Sequence, residues 1–157
     1  LEIMKLELKH LTPYLPYNVM IHSKYKNSDS FSTFEINYKN YNSVLTNDSR
    51  KLILRPLSDL VKNIEINGDN FIPLFHFAKM QIADDELDRL YIETDNKTFF
   101  NCMYHTGSED DDLVVYFDSY NILLTPYERI TELLKMHFDV FGLIDKGLAI
   151  DINTLKP

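Results

Sequence analysis

Ile64-Glu65-Ile66-Asn67-Gly68-Asp69-Asn70-Phe71-Ile72 decides more about the fold than any other stretch of this chain. Asn-Gly supplies the two positive-φ positions of a type I′ turn, whose twist matches that of antiparallel strands on either side. The stretch therefore reads as a tight β-hairpin. Upstream, residues 19–25 and 31–39 alternate well enough to be strands joined by a loop at 26–30. Residues 51–55 form a short apolar strand, and Pro56 then fits the first turn of a helix running to Asn63. A short helix within residues 6–15 is stopped by Pro13 and Pro16.

Downstream, residues 73–82 read as a helix, although Leu74, Phe75, Phe77 and Ala78 also tolerate a strand, and residues 90–92, 98–105 and 113–118 read as strands. The last strand is rich in Val and aromatics. Thr125-Pro126-Tyr127-Glu128 opens the strongest helix, with Thr125 as N-cap, Pro126 at the first helical position and Glu128 completing a capping box. Ile130, Leu133, Leu134, His137, Phe138 and Phe141 continue it as one apolar stripe, which Gly142 ends. Hairpins interspersed with separated helices favour an α+β fold over a doubly wound parallel sheet. The expectation is a single compact domain of mostly antiparallel strands and hairpins, packed with about three to four helices, the longest near the C-terminus.

Composition agrees with that class. The 157 residues (18.5 kDa) are 45% hydrophobic and 25% charged, which suits one globular domain over residues 1–157. One Cys excludes an intramolecular disulfide framework and suits a reducing cytoplasm. No run of 18 apolar residues exists, so no transmembrane helix is expected. The first nine residues alternate charged with apolar side chains and lack a signal-peptide core. Met4 is a candidate native initiator, which would make residues 1–3 an addition ahead of it.

Catalytic motifs are sparse. Neither Gly-x-Ser-x-Gly nor a phosphate-cradling Gly-rich loop occurs. Cys102 and His105 form a Cys-x-x-His pair, but zinc needs three or four ligands and no second pair exists. The expectation is a buried thiol and a strand-end histidine. His137 and Asp139 are two residues apart and do not share a helix face, so a core histidine is expected. The run from Glu109 to Asp112 lacks the Asp-x-Asp-x-Asp-Gly spacing of a calcium loop. Lys24, Tyr25, Lys26, Tyr38, Lys39 and Tyr41 interleave cations with rings, as a single-strand platform would. A pI near 5.0 weighs against direct nucleic-acid binding. Tyr14, Tyr17 and Tyr41 read as exposed, interface-prone side chains.

The charge is unevenly placed. The first 80 residues hold 8 acids against 10 bases, net +2, while residues 84–112 hold 10 acids against Arg89 and Lys97, net -8. That equals the net charge of the whole chain. Its acids are Asp84, Asp85, Glu86 and Asp88, then Glu93 and Asp95, then Glu109, Asp110, Asp111 and Asp112. If the intervening strands pair as a hairpin, the first and last groups meet at one end and form a negative surface that steers basic partners.

Three stretches also carry a resemblance. They are His10-Leu11-Thr12-Pro13-Tyr14-Leu15-Pro16-Tyr17, Leu54-Arg55-Pro56-Leu57-Ser58-Asp59-Leu60, and the long run from His137-Phe138-Asp139-Val140-Phe141-Gly142 to Ala149-Ile150-Asp151-Ile152-Asn153. Together they resemble a group of short uncharacterised proteins encoded by phages, prophages and mobile elements of Bacteroidetes. Thr12 stands where the group often has Ala, and Met136 where it often has Trp. Residues 79–119 match least. The resemblance implies no reaction and no catalytic residues; it implies a phage or mobile-element setting in a bacterial host cytoplasm.

The reading that results is a non-enzymatic accessory protein without cofactor or metal. It binds a host or phage protein that has a basic surface, as an inhibitor of a nucleic-acid-handling or defence enzyme. The ten acids are its candidate partner-binding residues, and a monomer or homodimer without membrane association is expected. A particle-assembly protein and a small enzyme are the alternatives.

Overall fold

The computed structural model describes residues 4–155. In chain order its principal elements are α1 (Leu8–Leu11), β1 (Met20–Lys24), β2 (Phe31–Glu35), α2 (Tyr41–Leu45), β3 (Arg50–Leu54), β4 (Ile64–Ile66), β5 (Asp69–Phe71), α3 (Pro73–Lys79), β6 (Leu90–Thr94), β7 (Phe99–Tyr104), β8 (Asp112–Asp118), α4 (Tyr127–Lys135) and β9 (Ala149–Asp151). The fold is α+β, with nearly all strand pairs antiparallel. Two compact units are distinguished, one from Leu1–Pro56 with Ile130–Pro157 and the other Leu57–Arg129.

The first unit is built on a four-stranded sheet in the order β2-β1-β3-β9. Ile21 sits opposite Phe34 on one side and Leu52 on the other, and Leu52 in turn faces Ala149 in the parallel β3–β9 pair. The β1–β2 connection at residues 26–30 forms as the alternation on both flanks requires. Residues 41–45 make the short helix α2, which buries Val44.

The C-terminal helix ends earlier than its apolar stripe. α4 stops at Lys135, because His137 takes a left-handed conformation (φ 61). The amide of His137 donates to Leu134 O (3.0 Å) and that of Phe138 to Leu133 O (2.9 Å). This is a Schellman cap, with histidine where glycine is usual. Beyond it the backbone pairs with Arg55: its amide donates to His137 O (2.8 Å), and the Asp139 amide to Arg55 O (2.8 Å). Extended pairing thus replaces the expected last turn of helix. Phe138 is fully buried all the same, so the stripe is apolar for a reason other than helix.

Tyr14 corrects a second expectation. It is fully buried, and its hydroxyl donates to Phe138 O at 2.8 Å. Its ring meets Phe141 edge-on at 6.1 Å. Burial pushes its phenol far above the usual range, so it stays a donor at any working pH.

The second unit contains the β4–β5 hairpin. Ile66 pairs with Asp69, and Asn67 (φ 54) and Gly68 (φ 88) make the left-handed turn that the dipeptide signals. Pro73 opens α3, whose Leu74, Phe77 and Ala78 are buried. The three-stranded sheet β6-β7-β8 brings Phe100, Cys102, Val115 and Phe117 to one face. Phe77 packs on Phe117 there at 5.0 Å, ring planes 67° apart.

Replacing Tyr14 by Phe deletes one buried hydrogen bond and leaves the Phe138 carbonyl with the Val140 amide (3.0 Å) alone, while the ring contacts persist. The expected loss is about 0.5–1.5 kcal/mol, read as a lower urea midpoint at unchanged slope.

Candidate functional site

The register of the β6–β8 sheet settles where the acids lie. Leu90 pairs with Tyr104, and Tyr104 with Asp112. The short 3₁₀ helix Asp84–Arg89, which precedes β6, and the loop that precedes β8 therefore meet at one end of the sheet. The amide of His105 donates to Arg89 O (3.0 Å), tying the two together. Asp84, Asp85, Asp88, Glu109, Asp110 and Asp112 are exposed, and their carboxylates have neither a hydrogen bond nor an ion pair among the described residues.

The remaining four acids sit differently. Glu86 accepts from the Tyr104 hydroxyl at 3.1 Å. Asp111 is half-buried and accepts from the Tyr91 hydroxyl (2.6 Å), with His105 Nδ1 at 3.0 Å. The Tyr91 bond and the neighbouring imidazole hold its carboxyl below the usual range, and the same bond pushes the Tyr91 phenol up to about 12. Asp95 lies at the opposite end, in the β6–β7 turn. It accepts the Thr98 hydroxyl and the amides of Lys97 (2.9 Å), Thr98 (2.6 Å) and Phe99 (3.1 Å), which hold its carboxyl well below the ordinary range. Asp95 builds the turn. Glu93 stands mid-sheet, opposite Asn101.

Cys102 and His105 do not converge. Cys102 is fully buried and burial pushes its thiol up to about 11, whereas His105 is exposed and stacks on Tyr91 at 4.3 Å. Among the described residues no group of three or more His, Cys, Asp or Glu is placed to hold a metal ion. No described helix is long and apolar enough to cross a membrane.

Other surface features escaped the sequence reading. Tyr120 (79% exposed), Leu123, Leu124 (82%) and Tyr127 leave an apolar run at the surface between β8 and α4. Only its apolar residues within a turn-rich stretch signalled it. A groove of about 660 Å³ in the same unit is lined by Phe71, Phe75, His76, Leu87 and Leu90, with Asp88 among its polar residues. An apolar trough thus adjoins the acidic end.

His137 and Asp139 are structural. A carbonyl can only accept, so the 2.6 Å contact between His137 Nε2 and Tyr17 O fixes a proton on Nε2. The Asp139 carboxylate accepts the amides of Leu143 and Ile144, both at 2.8 Å, and caps the turn that follows Gly142 and ends at Gly147. Burial raises its pKa, partly offset by those amides.

Compared with protein-family models, curated proteins and solved structures, the chain matches none of them.

Burial, with the Arg55 charge, lowers the His137 pKa below 6.5 against the opposing Tyr17 carbonyl and Glu35. Its contribution to stability is present above the unfolded value and is lost as pH falls through the folded value. Asn tolerates the left-handed conformation but does not titrate. Between about pH 7.5 and about pH 5.5, spanning the ordinary imidazole range, urea denaturation should show a larger loss for the native chain than for His137→Asn. His10 and His22, lowered by burial in the same direction, are common to both.

Proposed function

We propose that this chain is a phage-type accessory protein that binds a host or phage protein, using the acidic end of its second unit against a basic surface. The observation that supports this reading most is the shared end of Asp84–Arg89 and residues 105–112, fixed by the Leu90–Tyr104–Asp112 register. Six uncompensated carboxylates there hold a negative field over one small area. A surface of this kind competes with the phosphates of a nucleic acid for a positively charged groove, and steering raises its association rate in a salt-dependent way. Inhibition of a nucleic-acid-handling or defence enzyme is the action that follows from such competition. The groove at Leu87 and Leu90 adds apolar area beside the charge.

A second reading, a particle-assembly protein, draws on the exposed apolar run from Tyr120 to Tyr127. Size-exclusion chromatography separates the two, since a ring or higher oligomer favours assembly and a monomer or dimer favours the binding protein.

Amide substitution of Asp84, Asp85, Asp88, Glu109, Asp110 and Asp112 tests the electrostatic contact. Pull-down from a host lysate should lose its partner at high salt with the native chain and at low salt with the neutralised one. The association rate should fall roughly tenfold or more. Undiminished retention by the neutralised chain would sink the proposal.

A further inference from the structure

The groove beside the acidic end has two walls of different chemistry. One is α3 with the end of β5. Ile72, Phe75, His76 and Lys79 follow at the spacing of one helix face, apart from the face that buries Leu74, Phe77 and Ala78. The His76 ring leans on Phe71 at 5.5 Å and meets Phe77 edge-on at 5.9 Å, which ties this wall to the core. The other wall is the 3₁₀ helix Asp84–Arg89 with the start of β6. Side chains three apart eclipse in such a helix, so Asp84 and Leu87 stand in one row and Asp85 and Asp88 in the next. Leu87, Asp88 and Leu90 line the groove.

Phe71, Ile72, Phe75, Leu87 and Leu90 are half-exposed around a volume of about 660 Å³. Apolar side chains gathered in a concavity and left open to water mark a binding surface. The charges on its rim select what enters. Asp84, Asp85 and Asp88 have neither a hydrogen bond nor an ion pair among the described residues, and Lys79 stands on the other wall. Such a rim repels nucleic-acid phosphates and anionic lipid headgroups. It repels a second copy too, since that copy carries a net charge of -8 and its own exposed apolar run, Tyr120 to Tyr127, lies between Asp118 and Glu128. A neutral ligand leaves the three carboxylates uncompensated. An apolar side chain flanked by arginine or lysine satisfies groove and rim together.

We infer that the groove between α3 and the 3₁₀ helix takes an apolar anchor, a leucine or phenylalanine, from a basic segment of the protein partner, with the flanking arginine or lysine held by Asp84, Asp85 and Asp88. The inference rests on the reading of the chain as a binder of basic proteins, and it names the kind of segment gripped. The anchor fixes the position along that segment, and Lys79 turns its basic flank toward the 3₁₀ helix.

A fluorescein-labelled nonapeptide with Leu-Phe at its centre and arginines on one side serves as probe. One counterpart has Ser-Ser at the centre, and another has citrulline for each arginine. Anisotropy titrations should show the parent peptide binding roughly tenfold more tightly than either counterpart. Leu87→Ala and Phe75→Ala should each weaken it several-fold. Lys79→Glu, at an exposed position, should tighten it several-fold. Amide shifts in NMR spectra of the native chain should fall on residues 71–79 and 84–90, a reading that needs no variant. Equal affinity for the Ser-Ser or the citrulline peptide overturns the inference. So do shifts confined to residues 105–112 or 120–127, or unchanged binding by Lys79→Glu. Loss of lysate partner on neutralising the acidic end, with Leu87→Ala and Phe75→Ala silent in both assays, removes the anchor and leaves the broader reading standing.

Discussion

Closure of the first unit depends on the backbone of three residues, His137 to Asp139. Its two halves are separated in sequence by the whole of Leu57–Arg129, and nothing local can bring them together. The loss of chain entropy on joining such distant segments grows only slowly with their separation, but it must be met by contacts that are themselves long-range. Those contacts cluster here: Arg55 brackets Phe138 with two backbone bonds, the Tyr14 hydroxyl takes the Phe138 carbonyl, and His137 holds Tyr17. The parallel pairing of β3 with β9 extends the same joint. Each bond is worth little net, but together they satisfy the polar groups of a fully buried residue, the Phe138 carbonyl accepting from both Tyr14 and Val140.

That joint gives a physical meaning to the three sequence stretches singled out at the start. Tyr14 and Tyr17 belong to the first, Arg55 to the second, and His137, Phe138 and Asp139 to the third. They meet at one place. Their polar groups are spent on each other and on backbone amides, with Asp139 capping Leu143 and Ile144. The His137 imidazole and the Asp139 carboxylate are thereby used to fix backbone geometry. The His137–Asp139 pair therefore explains architecture, which is why a catalytic reading of it finds no support in the geometry.

Local signals were legible where the physics is local. Asn67-Gly68 dictates its own turn, Pro73 opens a helix, and alternation locates β1, β2, β7 and β8 to within a few residues. Signals failed where the deciding partner is remote. The stripe through His137, Phe138 and Phe141 is apolar because it is buried, and burial after a left-handed cap looks the same as burial along a helix. Tyr14 reads as a surface ring until the acceptor of its hydroxyl, 124 residues away, is known.

The acidity of the chain divides in the same way. Ten acids in residues 84–112 looked like one feature, yet the strands sort them by the work each carboxylate can do. Asp95 organises a turn, Asp111 holds Tyr91 and faces His105, and Glu86 takes Tyr104, so these charges are engaged by the fold. The other carboxylates at the sheet end repel one another with no cation paired to them. Solubility requires dispersed charge and gives no reason to gather six like charges at one end of a three-stranded sheet. The gathering follows from β7 turning back on β6, and the only cation of the segment near that end, Arg89, lies over the Tyr104 ring at 5.9 Å. Screening by counterions moderates that repulsion, and the basic partner proposed above would relieve it further.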